Sequence, residues 1–170
     1  MASVTIKRET AGALQKIINS LDSKAVKIGW FPSARYDDDE NTPVADVAAQ
    51  NEFGNPNKNI PARPFIRPAI ARDSKNWANI GSRGMKALLA NKTTVNAILT
   101  NIGERAVQDI QYSISQVYSP ALSRVTVEAR LARRNHRGKL NRTQARSITK
   151  PLVDTGHMRD TVSFELSSES

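Results

Sequence analysis

Between Thr94 and Tyr118 the residues Val95, Ile98, Leu99, Ile102, Ala106, Ile110, Ile114 and Val117 recur every three or four positions. That spacing predicts an α-helix with one sustained apolar stripe. At 1.5 Å per residue the helix is a rod of roughly 37 Å, and Pro120 stops it. A stripe of that length needs apolar cover from end to end, so the remaining elements must pack along it. The 170 residues are 39% hydrophobic and only 5% aromatic, so aliphatic side chains and alanine have to supply that cover. A chain of this size hides roughly 70% of the surface its unfolded form exposes, enough for one domain with its own core.

The other segments predict what covers the rod. Ala11, Leu14, Ile17, Ile18 and Leu21 give an amphipathic N-terminal helix. Lys24–Phe31 alternates through Val26, Ile28 and Trp30, as a strand does. Residues 32–42 read as a loop. Thr42-Pro43 then starts a short helix with Val44, Val47 and Ala48 on its apolar side, and Gly54 ends it. Prolines 56, 61, 64 and 68 exclude regular helix over 55–68, so the next helix is expected from Asp73 to about Ala90. A further helix spans Ser123–Arg134, Asp154 or Thr155 caps one turn, and Thr161–Leu166 alternates as a closing strand. These elements describe an α+β fold: a small antiparallel sheet packed against a long helix, with shorter helices and a basic extended arm. Residues 1–118 form the core, 119–150 the arm or insertion, and 151–170 the turn and strand that complete the sheet.

The net charge of +9 is concentrated. Arg124, Arg130, Arg133, Arg134, Arg137, Lys139, Arg142, Arg146 and Lys150 face a single acid, Glu128, within 119–150. Asp37, Asp38, Asp39 and Glu40 form an opposite, acidic loop. A cluster of cations suits phosphate backbones or acidic protein surfaces. With no aromatic between Tyr118 and Phe164, stacking of bases along the arm is excluded.

Catalytic groups are sparse. The absence of cysteine removes thiol catalysis, disulfides and thiolate metal sites, and His136 and His157 are the two histidines. Asp154 and His157 lie near several serines, but in one short turn they read as a cap and an exposed histidine. Asp37–Glu40 lacks the ligand spacing and the turn glycine of a calcium loop and reads as solvated. No phosphate-binding glycine loop, dinucleotide fingerprint or nucleophile elbow appears. The expectation is a non-enzyme without metal or cofactor. No apolar run approaches the ~20 residues of a membrane span, and the chain reads as soluble, in a reducing compartment.

Val44-Ala-Asp-Val-Ala-Ala-Gln-Asn-Glu-Phe-Gly54, followed by Ile60-Pro-Ala-Arg-Pro-Phe-Ile-Arg-Pro-Ala-Ile70, resembles the signature of the bacteriophage virion-morphogenesis proteins, the tail-completion and minor-tail proteins of long-tailed phages. Ile28-Gly-Trp-Phe31, Ala106-Val-Gln-Asp-Ile110 and Lys150–Arg159 extend the similarity in the expected order. Residues 135–149 depart from the pattern as a basic insertion. The resemblance implies a structural role at the virion neck. Such a subunit forms a ring, six copies by the symmetry of such tails, that finishes the head-proximal end of the tail and joins it to the head. Its partners would be its own copies, the tail terminator or tail tube protein, and head-side connector proteins. Its place would be the virion, after assembly in the host cytoplasm.

Within the signature, prolines 61, 64 and 68 stiffen an extended segment. Arg63 and Arg67 offer planar donors suited to carboxylates on another subunit, and Phe65 and Ile66 can fill a core or a neighbouring pocket. Phe53, Gly54, Pro61, Arg63, Pro64, Phe65, Arg67 and Pro68 are therefore the candidate inter-subunit residues. The acidic loop and the basic arm suggest head-to-tail contact, each arm reaching a neighbour's acidic surface in a ring that closes. The alternative is a nucleic-acid-binding module that uses residues 124–150.

Overall fold

The computed structural model describes residues 15–19, 24–38, 40–135 and 148–168. The predicted long helix is its axis. Helix α4 (Val95–Ser115) packs against the preceding long helix, both strands and the last short helix. Thr94 caps it, its Oγ1 accepting from the Ala97 N–H at 3.2 Å. It ends at Ser115, one turn before the apolar pattern does; Val117 continues to pack on the core from outside the helix. Pro120 therefore lies beyond a terminus already closed by the Gln116 N–H on Ser113 and Ile114 carbonyls.

The fold is α+β, and the described sheet has two antiparallel strands. Strand β1 (Lys24–Gly29) pairs with β2 (Ser163–Ser168), in register from Lys24 opposite Ser168 to Gly29 opposite Ser163. Ile28 and Phe164 are cross-strand partners on one face. Phe164 lies so close to α4 that a Cβ on Gly103 would come within 2.5 Å of its ring. The closing strand starts two residues later than alternation predicts, because Thr161 ends the preceding helical turn and Val162 enters the core.

Helices α1 (residues 15–19), α2 (Val44–Phe53), α3 (Ile66–Leu89), α5 (Arg124–Asn135) and α6 (His157–Asp160) are the other α-helices among the described residues. Ala11, Leu14 and Leu21 of the expected N-terminal helix lie outside the described residues; Ile17 packs on the cluster of Leu88, Val95 and Ile98. Two expectations are corrected. Helix α2 is capped by Pro43 without a side-chain hydrogen bond, because Thr42 is held in the loop, its N–H bonded to Asp38 Oδ1 at 2.8 Å.

Helix α3 begins at Ile66, seven residues before the expected start, with Pro68 inside its first turn. The first N–H groups of a helix have no intrahelical acceptor, so a proline there sacrifices no bond. The main core joins Val44, Ala48, Phe65, Ala69, Ile110, Ile114, Leu152, Val153, Met158 and Val162.

Candidate functional site

The signature folds into one unit centred on Glu52. Gly54, at φ 79°, turns the chain out of α2; a side chain there would press within 2.9 Å of the Ala62 backbone. The excursion returns through paired backbone bonds between Asn55 and Ile60 (2.8 and 2.9 Å), and the Arg63 N–H closes on the Asn51 carbonyl at 2.6 Å. This sets the start of α3 directly over the end of α2.

Phe65 stands where a serine or aspartate would normally cap α3, and it has no cap of its own. Glu52, 1% exposed, does the capping from thirteen residues away. Its Oε2 accepts from the N–H groups of Phe65 (2.6 Å) and Ile66 (2.9 Å); its Oε1 accepts from the Arg67 N–H (3.2 Å) and Nε (2.8 Å). Arg67 Nη2 also donates to the Glu52 carbonyl at 2.9 Å. Burial pushes the Glu52 carboxyl up, but the bonds from Phe65, Arg67 and Ile66 together hold it below the usual range. Sequence reasoning did not single out Glu52. A carboxylate that caps a distant helix has no local spacing signal.

These contacts correct the expected use of the signature. Arg63 is 6% exposed and donates within the chain, from Nε to the Pro120 carbonyl (2.8 Å) and from Nη2 to Ala121 (3.1 Å). Two carbonyls in the connector after α4 satisfy a guanidinium whose burial would otherwise be costly. Phe65 is fully buried, edge-on to Trp30 with ring centroids 5.8 Å apart, and its carbonyl accepts from Ser113 Oγ at 2.7 Å. Arg67 pairs with Glu52 of its own chain. Gly54 is a turn residue, and Pro68 belongs to the first turn of α3. Phe53, 69% exposed, remains outside with the Arg67 guanidinium 5.3 Å from its ring centroid, and Pro61 and Pro64 are exposed.

The basic segment is also partly committed to the fold. Arg130, 7% exposed, donates from Nη1 to Ile148 (3.2 Å) and Lys150 (2.8 Å) carbonyls and from Nη2 to Pro151 (3.2 Å), with Asp154 at 3.5 Å. Lys150 donates to the Ser115 carbonyl at 3.2 Å and lies 5.2 Å from the Tyr118 ring centroid. Arg130 is thus spent on carbonyls of 148–151 and Lys150 on one carbonyl at the end of α4. Arg124 is exposed and pairs with Glu128 at 2.8 Å. Arg133 and Arg134 continue α5; Arg137, Lys139, Arg142 and Arg146 lie outside the described residues.

Of the acidic loop, Asp37, Asp38 and Glu40 are exposed and Asp39 lies outside the described residues. Bonds from the Thr42 backbone and hydroxyl lower the Asp38 carboxyl.

A cleft of about 840 Å³ separates α2 and the 58–61 turn from the start of α5 and the 151–158 segment. Tyr36, Arg63, Arg130, Asp154 and His157 reach it. His157 Nε2 is 2.8 Å from the Arg35 carbonyl and its ring leans on Tyr36, centroids 5.0 Å apart. Burial, then Asp154 and Asp38, raise the Tyr36 hydroxyl. Thr155 Oγ1 accepts from the His157 N–H at 3.2 Å, but the N-cap of α6 is Gly156, without a side-chain bond, so the expected cap at Asp154 or Thr155 is corrected. Among the described residues, no three of His, Asp and Glu are grouped to hold a metal ion, and no helix is long and apolar enough to cross a membrane.

No family model matches the chain, and no solved structure matches it. An uncharacterized protein of the archaeon Methanocaldococcus jannaschii is 34% identical over 80 residues, 45% of this chain and 51% of that protein. The chain thus spans about half the length of this curated relative.

Proposed function

We propose that the chain is a structural subunit of the neck of a long-tailed phage virion, a tail-completion or head–tail joining protein that works as a ring without catalysis. The observation that carries the reading is the Phe53-Gly54 and Pro61–Pro68 signature, whose two halves Glu52 holds as one unit. The unit keeps its buried members for its own fold and leaves Phe53 and Arg67 outward. Aromatic and arginine side chains are the types most often found as anchors of protein contacts. The inter-subunit contact is accordingly assigned to Phe53 and the Arg67 head, and no longer to Arg63. The ring's other partners would be the tail terminator or tube and the head-side connector.

An early stop codon in this gene of the parent phage tests the reading by negative-stain electron microscopy. The expected lysate holds filled heads beside unattached tails. Intact, joined virions would overturn it. Phe53→Ala tests the assigned contact: a folded monomer that no longer forms rings is expected, and normal rings would remove Phe53 from the interface.

A further inference from the structure

The cleft between α2 and α5 is lined by a guanidinium that no carboxylate neutralises. Arg63 is 6% exposed, and its Nε and Nη2 donate along one edge of the planar head to the carbonyls of Pro120 and Ala121. Both acceptors are neutral, and among the described residues Arg63 forms no ion pair. Burial pulls its pKa down, with no carboxylate acting the other way. The outer edge of the head, made by Nη1 and the second N–H of Nη2, has no acceptor among the described residues. No fully buried side-chain nitrogen or oxygen among them lacks a partner, so the unmet Nη1 is open to the cleft. Two parallel N–H donors on a planar head match the two oxygens of a carboxylate.

The surroundings favour such a guest. Lys58, Arg63 and Arg130 line the cleft against one carboxylate among the described residues, Asp154, which lies 3.5 Å from Arg130 Nε. The start of α5 opens onto the cleft through Ser123 and Thr126, and a helix start favours negative charge. Val47, Ile60 and Leu122, all half-buried, supply an apolar wall. The volume of about 840 Å³ lies within the roughly 300–1,000 Å³ of small-ligand sites. A dianion such as phosphate is disfavoured, because Asp154 shares the cleft and, with Asp38, raises the hydroxyl of Tyr36 on its lining. One carboxylate on an apolar body fits the open fork and the wall.

We propose that this cleft binds a carboxylate through the outer edge of Arg63, with the apolar body of the ligand against Val47, Ile60 and Leu122. A free small acid and the carboxyl end of a peptide share this chemistry. The site stands or falls independently of a role at a virion neck.

The test follows the amide spectrum of the isotopically labelled full chain by nuclear magnetic resonance. Hexanoate is titrated against hexanamide, and acetyl-alanyl-leucine against its amide. Saturable shifts at Ile60, Arg63, Ala121 and Leu122 are expected, with an acid binding about tenfold or more tighter than its amide. Preference for hexanoate assigns the site to a free acid, and preference for the dipeptide acid to a peptide end. Ala121→Trp replaces an exposed side chain on the cleft lining and keeps the carbonyl that Arg63 uses. It is expected to hold its melting temperature and to lose binding. Arg63→Lys keeps a cation without the fork and should narrow the preference for acid; if it fails to fold, Ala121→Trp decides alone. The proposal is overturned if neither acid binds more tightly than its amide, if binding survives Ala121→Trp, or if inorganic phosphate binds more tightly than both acids.

Discussion

Glu52 joins two elements of the fold, because it satisfies the start of one helix from the end of another. Glu52→Ala leaves the N–H groups of Phe65 and Ile66 without their acceptor and the Arg67 head without its carboxylate. The expected loss is about 2–4 kcal/mol, read as a lower denaturant midpoint. The group also sets a pH dependence. Its folded carboxyl lies below the ordinary range, so its contribution is complete above the unfolded value of about 4.3 and is lost as pH falls through the folded one. Glu52→Gln should flatten the acid limb of the stability profile below about pH 5; an unchanged limb would show that other carboxylates carry it.

Arg63→Ala empties the place of a buried side chain and removes the two bonds that tie the segment before α3 to the connector after α4. It should destabilise the monomer by about 2–4 kcal/mol rather than leave it folded and unassembled, and thermal melts of the isolated chain would tell the two apart.

The elements themselves could largely be read from the chain. The α4 stripe, the β1 alternation and the Ser123 start of α5 are local patterns, and each element starts where its pattern does, although α4 closes at Ser115 and β1 at Gly29, short of the expected Tyr118 and Phe31. Boundaries were lost where a distant group intervened. Pro68 looks like a helix breaker until Glu52 is known to receive the first turn of α3. The close approach of elements was hidden for a different reason. Gly84 and Gly103 carry no periodic signal, yet the α3–α4 crossing and the seat of β2 on α4 depend on the missing Cβ atoms. Gly103→Ala should push Phe164 off the helix and cost about 1–3 kcal/mol in chemical denaturation. Full wild-type stability would mean that the sheet shifts without penalty. Arg130 was equally opaque: in a run of nine cations nothing marks it as a residue that turns inward to bind three carbonyls.

For the molecule as a whole, the cationic run of 119–150 is less free than its composition implies, since Arg63 holds the Pro120 and Ala121 carbonyls at its start, Lys150 reaches the Ser115 carbonyl of α4 from its end, and Arg130 joins its two halves. Lys75, Arg83 and Lys86 come to one exposed side of α3 only because the helix turns residues distant in sequence to a common face. The sheet imposes the longest link, with Lys24 opposite Ser168. A two-stranded sheet is marginal without further support, so a chain ending before Ser163 should leave β1 unpaired and α4 uncovered at Gly103. Loss of near-ultraviolet circular dichroism from Trp30 is the expected signature of that truncation.

That link also sets a clock on synthesis. β1 leaves the ribosome early, while its partner strand is still to be translated. At about 5–20 residues per second the interval between Gly29 and Ser163 lasts roughly 7 to 27 seconds. Throughout it, the nascent chain carries an open strand edge and an uncovered apolar face, which are surfaces that chaperones bind and that neighbouring nascent chains on a polysome can pair with. Maturation of each copy is thus gated by the arrival of its own β2.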